Sequence, residues 1–525
     1  MRLHLLLPVA LVAGCTGDRP AAFDRNRTIL GPVPLKDQIA WVDTGFDRVV
    51  TLDLSADTPR VHSWNVGRNP VYAAPTPDRD HLLVVTRGEE ALARGQRDED
   101  PQLWDVDLAH PDIAPIAYQV GSPFDRIAVA SDGSHAVAYF SEAGPDEAGF
   151  FRNPNEMAFV DLRSAPTETN PVLKTLRAFG STPTGVVLSP PMSVAGAEDP
   201  SPRTFALVFS HNVVTVVDTS HADRNEVSLR LDSAGSSVDP REAVFAPASA
   251  TAYLRSDGAR DVLQIAIAAD PPLAGDPHAN DYRPLLAELG AGGGPADIAV
   301  FDDAASKRWV LASTPTTREV VIIDSDTAQF RKVATADAVD RITLFPPDHP
   351  NVAVLASLAT AQPRVQLLSL EHLDDPLRQL RLESIALGEP VRDVVPVPGR
   401  NLAMIIHDDN RTVLSLLDVT YGSVSPLDGA GRLDSYAFTA SGDFLVGTAQ
   451  NVSRLGYLDL ANLHPSDIRL DSPPVRVLAL GNGKIVADHG DPFGRVTIVP
   501  FAGARRADAI VLDGFLLSDV LDQEP

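Results

Sequence analysis

Val50-Thr51-Leu52-Asp53-Leu54 decides the fold, because it returns. Two or three apolar residues, an Asp, then a small or apolar residue recur at Asp105-Val106-Asp107-Leu108, Phe159-Val160-Asp161-Leu162 and Val216-Val217-Asp218-Thr219. The phrase comes back at Ile322-Ile323-Asp324-Ser325, Leu416-Leu417-Asp418-Val419 and Tyr457-Leu458-Asp459-Leu460. From 53 to 107 and from 107 to 161 the step is 54 residues, and from 161 to 218 it is 57. The next two steps, to 324 and to 418, are close to double that. A period of this length marks repeated supersecondary units.

Outward from the phrase, each unit has the same parts. It starts at a Gly-x-x-Pro-like turn: Gly67 to Pro70, Gly121 to Pro123, Gly180 to Pro183, Asp239-Pro240, Gly294-Pro295 and Gly388 to Pro390. Weaker starts lie near Asp340, Leu433 and Pro474. A first run follows, such as 125–130 or 296–300, then a turn such as Ser131-Asp132-Gly133. A second run, such as 81–85 or 401–406, leads through a polar loop to the third, which carries the Asp. The fourth, such as 116–120, leads to the next turn. Short apolar or alternating runs between Gly, Pro, Asp and Asn are strands and turns. Four strands in a unit of roughly 40–60 residues predict β-propeller blades.

The Gly-x-x-Pro start, the Ser-Asp-Gly-like first turn and the Val-x-Asp-Leu third strand resemble the YVTN-type and WD40-like propeller repeats. The likeness covers most of residues 39 to 520 and implies architecture rather than function. The expected fold is all-β: four-stranded antiparallel blades, seven to ten of them, in one ring. About nine full units fit between Pro70 and Gly514. Residues 39 to 66 supply the last three strands of another, and 515–521 are expected to supply its first. Pairing of N- and C-terminal strands would then close the ring and leave no bare edge.

Residues 1–15 are expected to stand apart from the fold. Arg2 and His4 precede the apolar run 5–13, then Gly14 and Cys15, the plan of a secretory signal. Leu11-Val12-Ala13-Gly14-Cys15 resembles the lipobox of bacterial lipoproteins. The resemblance implies acylation of Cys15 and, with Thr16 in place of Asp, the outer membrane. An ordinary signal peptide with an incidental Cys is the alternative. Cys15 is the chain's one Cys, so the rest has no disulfide or thiol chemistry. Polar, Pro-punctuated residues 16–35 read as a tether, and the propeller is expected over 36–525.

The formal net charge is -26, and only five of the 44 basic residues are Lys. Such a surface repels phosphate backbones, which excludes nucleic acid as a partner. After the N-terminus no stretch approaches the roughly 20 apolar residues of a membrane span.

Asp53, Asp107, Asp161, Asp218, Asp324, Asp418 and Asp459 read as turn formers. Each is placed where a third strand ends, and there a carboxylate can accept backbone N–H groups. Chemistry is expected instead in the loops between strands two and three, which share a face with the inter-blade loops. These loops hold Glu89, Glu90, Glu142, Asp146, His211, Asn212, Asp257 and Asp261. Two more loops, His407-Asp408-Asp409-Asn410 and Asp488-His489-Gly490-Asp491, combine His with carboxylates, a set that can bind a divalent cation or act as a base. Solvated turns prefer the same residues. No dedicated metal motif, nucleophile elbow, phosphate loop or Cys-x-x-Cys-His is present, and the Trp-rich repeat of quinone-type propellers is missing. The Pro- and Gly-rich insertions at 190–203 and 270–282 read as flexible loops.

Two functions fit. The first is an envelope lipoprotein whose propeller is a binding scaffold for an envelope protein, without a cofactor. The second is a lactonase-like or other metal-assisted hydrolase with its site at the central mouth.

Overall fold

The computed structural model describes residues 27–89, 98–141, 153–177, 182–197, 200–231, 237–246, 249–273, 275–347, 350–409, 411–429, 431–501 and 508–517. Among the described residues, forty strands form ten antiparallel four-stranded sheets, each made of four consecutive strands. The chain is a ten-bladed propeller. In chain order the blades occupy 29–65, 70–119, 126–175, 183–230, 239–289, 297–334, 341–386, 391–428, 433–469 and 476–513, and are numbered 1 to 10 below. Blades 2 to 10 begin at or close to the nine turns read from the sequence.

Most second and third strands are buried on both faces, the third strand of blade 9 being more open. Phe205–Ser210 and Val213–Asp218 of blade 4 are buried at every position, as their near-continuous apolar sequence requires. The first and fourth strands are more exposed, as in Phe330–Ala334. Most of the core lies between blades. Val354, Ala356 and Val365 of blade 7 pack on Val391, Ala403 and Ile405 of blade 8, for example. A lone four-stranded sheet cannot bury both faces, so each blade needs its neighbours.

Closure differs from expectation. The first strand of blade 1 is Ile29–Pro34, paired with Gln38–Asp43, and not the C-terminal segment. The propeller therefore begins by Ile29, inside the stretch read as a tether; 16–26 lie outside the described residues. Gly31-Pro32 and Pro34 hid the strand. A bulge between Leu30 and Val33 absorbs that pair, and Gly31 has φ +115, where a Cβ would stand 2.9 Å from the Ala40 carbonyl oxygen. Proline is tolerated in a strand that has no partner on its outer side.

The two ends still meet, by side-chain packing. Phe515–Leu517 is a single 3-10 turn, wholly buried, rather than a strand. Phe515 and Leu516 join Ile39, Trp41, Val50 and Leu52 of blade 1 and Val486, Val496 and Ile498 of blade 10 in one core. Trp41 and Phe515 make an edge-on ring contact at 5.0 Å. Gly481 N–H donates to the Lys36 carbonyl (2.8 Å), Asn482 to that of Leu54 (2.7 Å), and Arg48 to that of Leu516.

Described residues of the insertions read as flexible are held in place. Met192 and Val194 are buried between blades 4 and 5, and Met192 pairs with Arg203 as an isolated bridge. Arg203 is 1% exposed and donates to Asp281 (2.7 Å) and Asp218 (3.1 Å). Arg224 also reaches Asp281 at 3.1 Å. Of its two partners, Asp281 lies 78 residues away, too far for a local pattern to show.

Candidate functional site

Each recurring Asp is the last residue of a third strand, at the opposite end of its blade from the loops between strands two and three. Asp53 Oδ1 accepts Ser55 N–H at 2.8 Å, and Asp107 Oδ1 accepts Ala109 and His110 N–H at 3.0 and 3.1 Å. Asp161 receives Arg163, Asp218 receives Ser220, and Asp324 receives Asp326 and Thr327. Asp418 receives Thr420 and Tyr421, and Asp459 receives Ala461 and Asn462. The double step in the sequence has a simple cause. In blades 5 and 7 the third strand ends at Ala269 and Ser369, and Ser369 Oγ accepts Glu371 N–H in place of a carboxylate.

The two His-containing loops belong to blades 8 and 10, with blade 9 between them. His407 is 0% exposed. Its Nδ1 is 3.0 Å from the Pro390 carbonyl, and its Nε2 is 2.8 Å from Ser415 Oγ on the third strand. His489 repeats the pattern: Nδ1 meets Ser472 Oγ (2.9 Å) and the Pro473 carbonyl (3.2 Å), and Nε2 meets Thr497 Oγ1 (2.9 Å). Each imidazole thus ties the start of its blade to strand three.

The carboxylates beside them are also engaged. Asp408 pairs with Arg432 (2.8 Å), and Asp409 accepts Arg411 and Thr412 N–H. Asp488 accepts Gly490 N–H, and burial raises its carboxyl above the usual range. Asp491 accepts Phe493 N–H. The other loops behave alike. Glu89 lies 3.8 Å from Arg68, His211 2.5 Å from Asp239, and Asp257 2.6 Å from Arg241, while Asn212 accepts Val238 N–H and Asp261 accepts Ala291 and Gly292 N–H. Glu90, Glu142, Asp146 and Asn410 lie outside the described residues. Among the described residues, no group of three or more His, Cys, Asp or Glu could hold a metal ion.

The inner strands carry polar links that the sequence reading passed over. Asp297 of blade 6 accepts Ile342 N–H of blade 7 at 2.6 Å, and Ser435 of blade 9 accepts Val477 N–H of blade 10 at 2.9 Å. Arg392 reaches the Leu433 carbonyl, Arg476 that of Gly31, and Arg126 lies over the Tyr72 ring at 5.2 Å. These contacts join neighbouring blades around the axis. Burial pushes the Asp297 carboxyl up to about 6. The Ile342 N–H oppositely stabilises its ionised form, Glu242 adds to the rise, and Arg341 lowers it. A Pro or an Asp ahead of each first strand was the available signal, but which blade it would touch was not in the sequence.

No family model and no curated protein matches this sequence. Among solved structures the chain is similar to the dihydro-heme d1 dehydrogenase NirN in complex with DHE: 13% identity, 89% of this chain and 79% of that one, TM-score 0.41. It is also similar to the β-propeller domain of Cps50 (Swd1) from Myceliophteria thermophila: 12% identity, 83% of this chain and 96% of that one, TM-score 0.32.

Proposed function

We propose that this chain is a bacterial envelope lipoprotein, held to the outer membrane through acyl groups on Cys15, and that its ring is a rigid scaffold for another envelope protein. The observation that carries the scaffold half is the state of His407 and His489. Both ring nitrogens of each are within hydrogen-bonding reach of a backbone carbonyl or a hydroxyl of the same blade. Imidazoles used this way hold blades in shape, and the carboxylates around them organise turns. Rigid blades presenting many separate loops suit recognition of a protein surface.

The anchor half rests on Leu11-Val12-Ala13-Gly14-Cys15 and on a chain that keeps its one Cys there. Acylation holds a protein on a membrane without a spanning helix. Among the described residues no helix is long and apolar enough to cross one.

Full-length protein expressed in a bacterial host tests both halves. Radiolabelled palmitate should enter the protein and be lost in Cys15→Ser, with the variant released from the membrane fraction; equal labelling of the variant refutes the anchor. Affinity capture of the lipidated protein from its own envelope should return one stoichiometric protein partner. Ester or lactone hydrolysis abolished by His489→Ala would replace the scaffold with the hydrolase.

A further inference from the structure

We infer that the cleft between blades 8 and 9 binds a small molecule with a flat apolar body and a positively charged head. This goes beyond the scaffold reading and does not need it. The cleft has a volume of about 430 Å³ and opens to solvent. That is the size of an ordinary small-molecule site. Val413 and Leu427 of blade 8 and Leu433, Leu445 and Leu458 of blade 9 wall it. Gly447 and Gly456 also line it; Leu433 lies over Gly447, and Gly456 is left bare.

The two glycines face each other across strands two and three of blade 9. Directly opposed residues in an antiparallel pair point to the same face, so one stretch of that face carries no side chain at all. The neighbouring blades fill the same place. In blade 8 the pair is Ile405 and Ser415, with His407 bonded to Ser415 behind it. In blade 10 it is Ala487 and Thr497, with His489 bonded to Thr497. In blade 9 the histidine's place falls to Ala449, which also lines the cleft. Elsewhere the corresponding pairs include Trp41 with Val50, Val84 with Trp104, and Leu355 with Gln366. The cleft is therefore the site of a plug that blade 9 lacks.

Packing does not demand this. A Cβ on Gly447 would come 2.5 Å from Leu433 Cδ1, but one on Gly456 would meet its nearest neighbour, the Gly447 carbonyl oxygen, at 3.6 Å. A larger residue at 456 has room, yet the space stays open. Apolar walls left facing water forgo the burial that a larger side chain there would supply. Glycine inside a strand often marks a place where a ligand approaches closely.

The chemistry of the rim selects the head group. Arg454 and Asp467, on the third and fourth strands of blade 9, pair at 3.0 Å and both line the cleft. Asp428 accepts the Thr412 hydroxyl at Oδ1 (3.1 Å), so Oδ2 can take a donor from a ligand. Two carboxylates against one guanidinium leave the rim negative. A flat ring lies on the bare Gly456 peptide beside Leu433, aliphatic walls hold its edges, and an ammonium group meets Asp428.

Calorimetry of the full chain with 1-naphthylmethylammonium tests this, with 1-naphthylacetate as the same body bearing the opposite charge. The amine should bind saturably with one-to-one stoichiometry, and the acetate at least about tenfold more weakly. Gly456→Thr, which installs the residue of blade 10, should abolish amine binding while leaving circular dichroism unchanged. Asp428→Asn should weaken the amine and not the acetate. If Gly456→Thr does not fold, Gly456→Ser, with the residue of blade 8, is read the same way. No saturable amine binding to the natural chain, or equal binding to the filled variant, overturns the inference.

Discussion

The imidazole of His407 and the hydroxyl of Ser415 meet at 2.8 Å inside blade 8, and two blades on His489 and Thr497 repeat the pair at 2.9 Å. These histidines are expected to be stability residues. His407→Ala leaves a buried hydroxyl and a carbonyl without their partner and should cost about 1–3 kcal/mol. His489→Ala, in a less buried loop, should cost less. Blade 9 separates them, so the double variant should cost the sum within about 0.5 kcal/mol. Denaturant titration of the purified variants measures all three; no change for His407→Ala would be incompatible with the stitch.

The same residues should not bind metal. Calorimetric titration with Ca²⁺, Mn²⁺ and Zn²⁺ is expected to give no saturable heat. A signal lost jointly on replacing Asp488, His489 and Asp491 would restore the hydrolase reading.

Asp297 should make stability depend on pH in an unusual direction. Burial raises its folded carboxyl to about 6, above the ordinary 3.8. Between those values the folded protein binds more protons than the unfolded chain. This group's contribution therefore favours folding as pH falls through 6 and is lost as pH rises through it. The difference at neutral pH is on the order of 3 kcal/mol. Asp297→Asn keeps an acceptor for Ile342 N–H and removes the charge. The variant should gain on the natural chain above about pH 6 and lose that gain toward pH 4, as read by melting temperature across pH. Parallel melting curves refute it. Asp324 has the opposite sign: burial opposes ionisation, but Lys307, Thr327 and two turn N–H groups outweigh it and hold the carboxyl down to about 2. Its contribution is present at neutral pH and lost only as pH falls through that value.

Arg203 binds Asp218 and Asp281 with almost no solvent contact. Arg203→Met removes the buried cation shared by two carboxylates, leaving Asp218 to His221 and Asp281 to Arg224, and should cost about 3 kcal/mol. Adding Asp218→Asn and Asp281→Asn should recover most of that loss in unfolding experiments. A triple variant as unstable as the single one would show that the arginine acts by packing alone.

Much of the ring was legible because its signals are local. A third strand ending in Asp needs only its own apolar run and the turn N–H groups two or three residues on, so seven blades announced themselves. Ser369 in blade 7 and Ala269 in blade 5 broke the phrase without breaking the strand order. Ile29–Pro34 was missed because Gly and Pro normally interrupt strands, and only the bulge against Gln38–Asp43 makes them fit. The His loops were found as residues, but their bonds to strand three were not, since Ser415 and Thr497 lie a whole strand away.

By itself the sequence determined that there are repeated four-stranded sheets, where nearly all of them start, and an N-terminal segment like a lipobox. Those follow from hydrophobic period and turn chemistry, which act over a few residues. Only the tertiary structure decided the number ten, the closure through Phe515 and Leu516, the burial of Arg203, and the open place at Gly456. Each depends on which side chains two neighbouring blades bring to one face, and packing between sheets leaves no period in the chain.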